Sequence, residues 1–410
     1  MRVLEGIVRP YAWGSRTAIA SLRGRPVPSP HPEAELWFGA HNAAPALVVD
    51  DDTVPDLLTA IDRDPVAALG ATTSGAFGGR LPFLLKVLAA DEPLSLQAHP
   101  SAEQARDGFA RENALGLPLD ALNRNYRDPW HKPELIVGLT EFHALAGFRD
   151  PVRTVDLLRG LQVSELDPYL GMLVGQPDSH GLRALFTTWL TLPEATIAAV
   201  TPAVLAAAVT LLDSGAGAFT AELRTLLELG EMYPNDPGVL ASLLLNRITL
   251  QPGEGLYLPA GNLHAYLSGT GVEIMANSDN VLRGGLTPKH IDVPELLRVL
   301  DFAPVAPADL MPRIRTVGAE RIYLTAAPEF RLSRVELDGT GMAAPSSISF
   351  DMPGPQILAV LTGAIEIRPP GGPAITVPAG RAAWLTDADP DVTVHADASR
   401  AVFFRALVPG

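Results

Sequence analysis

The sequence predicts a mainly β protein with a helical insertion: two jelly-roll barrels, one able to hold a metal and one without ligands, plus a block of helices. Three observations predict it. Short β-like runs punctuated by Pro and Gly fill both ends of the 410-residue chain. From about Pro151 to Leu229 the texture changes to helical spacing enriched in Ala. The turn Tyr257-Leu258-Pro259-Ala260-Gly261 is echoed by Thr376-Val377-Pro378-Ala379-Gly380, each set between short strand-like runs, as in a jelly roll. Asn262-Leu263-His264 follows the first turn and supplies a candidate ligand, whereas Arg381-Ala382-Ala383-Trp384 follows the second and supplies none. The expected division is a ligand-bearing barrel from residues 1–150 and 236–320, a helical insertion at 151–235, and a ligand-free barrel at 321–410.

The elements follow in order. Glu35 to Gly39 and Ala46 to Val49 read as short strands, and Pro55 to Leu69 as helix broken before Pro65. Ala71 to Gly79, rich in Thr, Ser and Gly, reads as a loop. Leu81 to Leu88 is a nearly continuous apolar run, the mark of a buried strand. Leu94 to His99 alternates like a strand with one special face. Glu134 to Val137 and Phe142 to Phe148 also read as strands. Helical spacing covers Val155 to Leu158, Leu182 to Leu192, Val204 to Leu212 and Ala221 to Leu229. Ile197 to Leu212 is the most apolar stretch, but Thr201, Pro202 and Thr210 interrupt it, so buried helices rather than a membrane span are expected. Strand texture resumes at Leu245 and dominates from about Arg321.

Composition narrows the function. Hydrophobic residues make up 47% and charged residues 19%, a globular balance with material for large cores. Lys and Arg number 31 against 46 Asp and Glu, a net charge of −15, which disfavours nucleic acid and anionic membrane surfaces as partners. The absence of Cys excludes disulfides, thiol nucleophiles and Cys-bearing metal sites. The N-terminus lacks the apolar stretch of a signal peptide, so a cytoplasmic location is expected.

Within those limits a metal needs His, Asp, Glu or amide ligands. Gln97 and His99 are two apart on an expected strand, so they share a face. Glu134 opens another strand, and His264 emerges from a tight turn. Two imidazoles, a carboxylate and an amide oxygen suit zinc or a similar divalent ion. The alternative is a set of unconnected buried side chains satisfied by hydrogen bonds. Further along, Arg283 and Lys289 flank the pair Gly284-Gly285, where backbone and cations can both approach an anion. The alternative there is a solvated loop. His31, His180 and His395 lie in unremarkable polar or Pro-rich settings.

Several ordered segments resemble the type I phosphomannose isomerases. They are Tyr11-Ala12-Trp13-Gly14-Ser15, Glu35 to His41, Leu81 to Leu88, Leu94 to Pro100, Asn125 to Glu134, and Leu258 to Leu267 continuing into Asn277 to Thr287. The resemblance implies a cupin-like fold and interconversion of mannose 6-phosphate and fructose 6-phosphate through an enediol. It implies one zinc per chain held by Gln97, His99, Glu134 and His264. It also implies Arg283 as an active-site residue, with Lys132 and Glu273 as further catalytic candidates and either one as the base. Ser95, Arg283 and Lys289 are the implied phosphate contacts. His131 is a candidate for assisting ring opening, while His41 and His143 are expected to be structural. The expected partner is a small sugar phosphate, acting on a monomer or a dimer. The other functions considered are a metal-dependent cupin for another phosphorylated sugar and a non-catalytic sugar-binding cupin.

Overall fold

Antiparallel pairing organises the strands into three sheets. The computed structural model describes residues 1–409 apart from Asp50, Asp52, Ala216, Gly341, Ala343, Pro390 and Ala398. One sheet of ten strands carries, in order along its main path, Gly255–Leu258, Glu134–Gly138, His264–Ala276, Phe83–Ala90, Glu35–Phe38 and Ile7–Arg9. The long strand His264–Ala276 joins two walls. Its second part pairs with Phe83–Ala90 and Glu134–Gly138, and its first part pairs with Leu96–Ala98 and Phe142–Phe148. The change of wall falls at a register shift between Tyr266 and Ser268. Gly269 follows at φ +119°, and a Cβ there would lie 2.7 Å from the carbonyl oxygen of Glu141, so only glycine fits the bend. The result is a mainly β, cupin-like barrel.

Parity along Phe83–Ala90 explains its continuous apolar run. Phe83, Leu85, Val87 and Ala89 point outward into a core shared with Tyr323, Phe330, Leu332, Trp384 and Phe404. Leu84, Lys86, Leu88 and Ala90 point to the barrel interior, and all eight residues are buried. The core on the outward side is the interface with a second barrel. That barrel is built on an eight-stranded sheet faced by the four-stranded sheet Ser347–Phe350, Val392–Ala396, Ala364–Arg368 and Ile375–Pro378. Its interior is apolar, with Val335, Leu358, Ile365, Ile367, Val394 and Phe403 fully buried. The chain's first strand, Arg2–Glu5, pairs with Arg381–Leu385 in this sheet. The echoed turns share backbone geometry: Gly261 has φ +77° and Gly380 φ +81°.

The helical block contains Pro151–Leu161, Asp167–Gly175, Ser179–Leu190, Glu194–Asp213, Thr220–Met232 and Pro237–Ala241. Asp150 caps the first through the amides of Val152 and Arg153, with Pro151 at the first helical position. Phe186, Trp189, Leu223 and Leu226 are fully buried in a core continuous with Leu96, Leu145, Leu263 and Leu282 of the first barrel. Complete burial of each large apolar side chain contributes about 1.5–3 kcal/mol. The helices therefore brace the strands that carry the site.

Three expectations change. Ala71–Ala76 is a short helix rather than a loop, continuing from Pro65–Leu69 across Gly70. The alternating run Leu94 to His99 yields only Leu96–Ala98 as strand. The apolar stretch at Ile197 is one continuous helix, Glu194–Asp213, which keeps Pro202 on its exposed side. By length and composition it could cross a bilayer, with mean hydropathy 2.1. Here Ile197, Val200, Thr201, Val204 and Ala208 are its buried residues, and Val200, Val204 and Ala208 join the core of the helical block.

Candidate metal centre and active-site cavity

The barrel interior brings His99, Glu134 and His264 together, all buried, with ligand atoms within 4.8 Å of one another. His99 Nε2 lies 3.3 Å from one Glu134 oxygen and His264 Nε2 lies 3.3 Å from the other. The opposite ring nitrogens are committed: His99 Nδ1 is 2.8 Å from the Asn280 carbonyl oxygen and His264 Nδ1 is 3.0 Å from that of Asn262. Carbonyls only accept, so each Nδ1 carries a proton, and in a neutral imidazole that leaves the lone pair on Nε2. Two lone pairs facing a carboxylate repel one another, and a divalent cation among them converts all three groups into ligands. Among the described residues His99 Nε2 is buried without a hydrogen-bond partner, which fits a metal-binding atom. Burial pushes His99 down to about 4, keeping the imidazole neutral as ligation requires. Burial opposes ionisation of Glu134, but His99 and Lys132 hold its carboxyl well below the usual range.

Sheet register places the fourth expected ligand. Gln97 is the cross-strand partner of His264 on one side and of Arg283 on the other. It lines a cavity of about 630 Å³ that also takes in Ser95, Lys132, Arg283 and Lys289. The cavity suits a metabolite-sized ligand. Thus Gln97, Glu134 and His264 sit on neighbouring strands, His99 follows directly after the strand that carries Gln97, and Lys132 Nζ lies 3.2 Å from Glu134.

Glu273 stands differently. Its carboxylate accepts from Lys86 Nζ at 2.8 Å and from the Tyr266 hydroxyl at 2.8 Å, so both oxygens are engaged. Lys86 and Glu273 are cross-strand partners, and Glu35 lies 3.6 Å from the same ammonium. Burial raises the Glu273 carboxyl, as do Glu134 and Glu35, against the pull of Lys86. Burial opposes the charge on Lys86, but Glu273, Glu35 and Glu134 outweigh it and hold the ammonium well above its ordinary value. Lys86 lines the cavity.

The cavity mouth gathers cations. Burial lowers Arg283, and Arg127 beside it lowers it further. Lys289 is lowered by burial, then by Arg283 and Arg127. Among the described residues, no carboxylate lies within 4.0 Å of the charged nitrogens of these three side chains. Three mutually repelling, unpaired cations form a receptor for an anion.

Three further histidines stand apart from the metal cluster, although His41 lines the cavity. His131 Nε2 turns to Glu329 at 2.5 Å and does not line the cavity. His41 is buried edge-on to Trp37 and lies 3.3 Å from Asp279. His143 lies 3.1 Å from Glu141, on the surface of the barrel. The sequence reading missed Lys86 and Arg127. The signal for Lys86 was a lone lysine inside the apolar run Leu84-Leu85-Lys86-Val87. Arg127 lies in the quoted Asn125 to Glu134 segment, where no spacing rule singled it out.

A model of the type I phosphomannose isomerase catalytic domain matches residues 1–151. Mannose-6-phosphate isomerase from Escherichia coli K12 is 40% identical over 338 residues, covering 82% of this chain and 84% of that protein. The human mannose-6-phosphate isomerase is 33% identical over 364 residues, with 82% of each chain covered. A crystal structure of Salmonella typhimurium mannose 6-phosphate isomerase bound to fructose 6-phosphate and zinc aligns with a TM-score of 0.88. It is 35% identical and covers 100% of both chains.

Proposed function

This chain belongs to the type I phosphomannose isomerases, and we propose that its His99–Glu134–His264 cluster and the cationic cavity above it carry the family's reaction. It is an aldose–ketose isomerase that interconverts mannose 6-phosphate and fructose 6-phosphate, with zinc as cofactor. The observation that carries the assignment of residues is the buried convergence of three ligand atoms within 4.8 Å. Gln97, next to His264 in register, completes the ligand set. Bound there, zinc supplies a Lewis acid for the sugar's oxygens.

The protein's own groups do the rest. The reaction moves one proton between C1 and C2 of the open-chain sugar through an enediol, and negative charge develops on oxygen. Arg283 and Lys132 face the cavity and stabilise that charge. Lys132 is the group placed to move the proton. Glu273, with both oxygens engaged, acts through Lys86, fixing its ammonium at the cavity wall. Arg127, Arg283, Lys289 and Ser95 hold the phosphate.

The division into a catalytic barrel, a helical insertion and a second barrel is part of this reading, with Arg2–Glu5 joining the second barrel by its pairing. So are a cytoplasmic location and a monomer acting alone on a small sugar phosphate, without nucleic acid or membrane. The test is a coupled assay of fructose 6-phosphate formation from mannose 6-phosphate, before and after chelation, then with zinc restored. No turnover by zinc-loaded protein overturns the reading. Turnover that survives complete metal removal overturns the role given to the His–Glu–His cluster.

A further inference from the structure

The second barrel holds no metal cluster among the described residues, yet it is not an inert core. Between the end of its eight-stranded sheet and strand Ser347–Phe350 lies a cavity of about 460 Å³. Arg315, Arg331 and Arg405 line it. Arg405 is only 3% exposed. Its Nε donates to Gln356 at 2.7 Å, its Nη1 lies 3.3 Å from Glu320, and its guanidinium carbon sits 3.8 Å from the centre of the Phe350 ring. Its Nη2 is buried without a hydrogen-bond partner among the described residues. Glu320 is shared, since it also accepts from Ser333. Arg331 donates to the Met352 thioether, and among the described residues neither Arg331 nor Arg315 has a carboxylate within 4.0 Å.

Three guanidiniums thus face two carboxylates, Glu320 and the rim residue Asp351, in a chain whose net charge is −15. A guanidinium buried inside a barrel is costly unless its donors are used. Guanidiniums match oxyanions in fork geometry, and Ile322, Phe350 and Met352 give the same cavity an apolar wall. We propose that this cavity is a binding site for a small organic oxyanion, a phosphate or carboxylate head on a short carbon skeleton, separate from the catalytic cavity. Arg331 and Arg315 meet the head at the entrance, with Arg405 behind them.

The test titrates inorganic phosphate and, separately, succinate into the zinc-loaded protein by calorimetry. The same titrations are run on Arg315→Ala/Arg331→Gln and on Arg283→Ala, which disables the catalytic phosphate site. Arg283→Ala is expected to keep one anion site, and the double variant to lose it. Affinity at the second site should fall about tenfold or more with each guanidinium removed. Turnover of mannose 6-phosphate by the double variant should stay within about twofold of the parent, because the sites are independent. Binding of phosphate alone or of succinate alone identifies the head group and supports the site. Isotherms that superimpose for parent and double variant with both probes overturn it. Circular dichroism and melting of the double variant check that its fold is retained.

Discussion

Lys86→Met removes the one ammonium that two buried carboxylates share. Its nitrogen is 2.8 Å from Glu273 and 3.6 Å from Glu35, and all three side chains are buried. At an effective dielectric near 20 those separations correspond to roughly 6 and 5 kcal/mol of gross attraction. Desolvation of the three ions offsets most of it. The measurable cost is that of leaving carboxylates buried without their partner, about 3–5 kcal/mol. The sign of the pH dependence follows from Glu273, whose carboxyl is already raised by burial. Without Lys86 it rises further, so above the ordinary value of 4.5 the native variant binds more protons than its unfolded chain. Its stability then falls as pH rises, and the loss relative to the parent is larger at pH 8 than at pH 5.5. Urea unfolding of both proteins at the two pH values reads this directly. The variant Lys86→Met/Glu273→Gln should recover stability, with a coupling energy of about 1.5 kcal/mol or more. A loss under about 1 kcal/mol that is the same at both pH values would refute the shared-ammonium account.

Three further outcomes follow from the site. His264→Ala should lower bound zinc at least about tenfold by elemental analysis while circular dichroism stays native, because a ligand and not a core packing group is lost. Retained stoichiometric zinc would remove His264 from the ligand set. Arg283→Ala should lower kcat about 100-fold or more with the fold intact, and near-parental turnover would exclude it from catalysis. Arg127→Ala should raise KM for mannose 6-phosphate about tenfold with little change in kcat, and an unchanged KM would take it out of the phosphate site.

The parts of the site visible in the sequence were those fixed by local geometry. Gln97 and His99 stand two residues apart at the end of a strand, a spacing that predicts a shared face, and His264 follows a turn whose glycine has positive φ. Register between distant strands was not visible. Nothing local says that Glu273 faces Lys86, 187 residues away, or that Gln97 stands between His264 and Arg283. That pairing is why Glu273 appeared as a free base and proves to have both oxygens occupied. The same blindness hid the first strand's pairing with Arg381–Leu385. Helix Glu194–Asp213 was read as broken because Pro202 weakens a helix locally. Packing of Val200, Val204 and Ala208 in the core of the helical block holds it continuous, with the proline turned outward.

Charge within the catalytic cavity is sorted by depth, and that sorting orients the substrate. The deep carboxylates Glu35, Glu134 and Glu273 each have a lysine nitrogen within 3.6 Å, so their fields are locally compensated. At the mouth Arg127, Arg283 and Lys289 repel one another instead. A sugar phosphate entering this cavity meets unpaired cations at the mouth, and the dianion stays there while the polyol chain enters. Arg283 alone belongs to both regions. It is one strand from Gln97 and two from His264, about 10 Å at ordinary strand spacing. Its extended side chain can span from the phosphate toward the reacting carbons, which Arg127 in the outer loop cannot match. Loss of Arg283 should therefore affect kcat and KM together, whereas loss of Arg127 affects KM alone. If both variants lower kcat equally, the cavity does not sort its charges by role, and the mouth acts as one diffuse field.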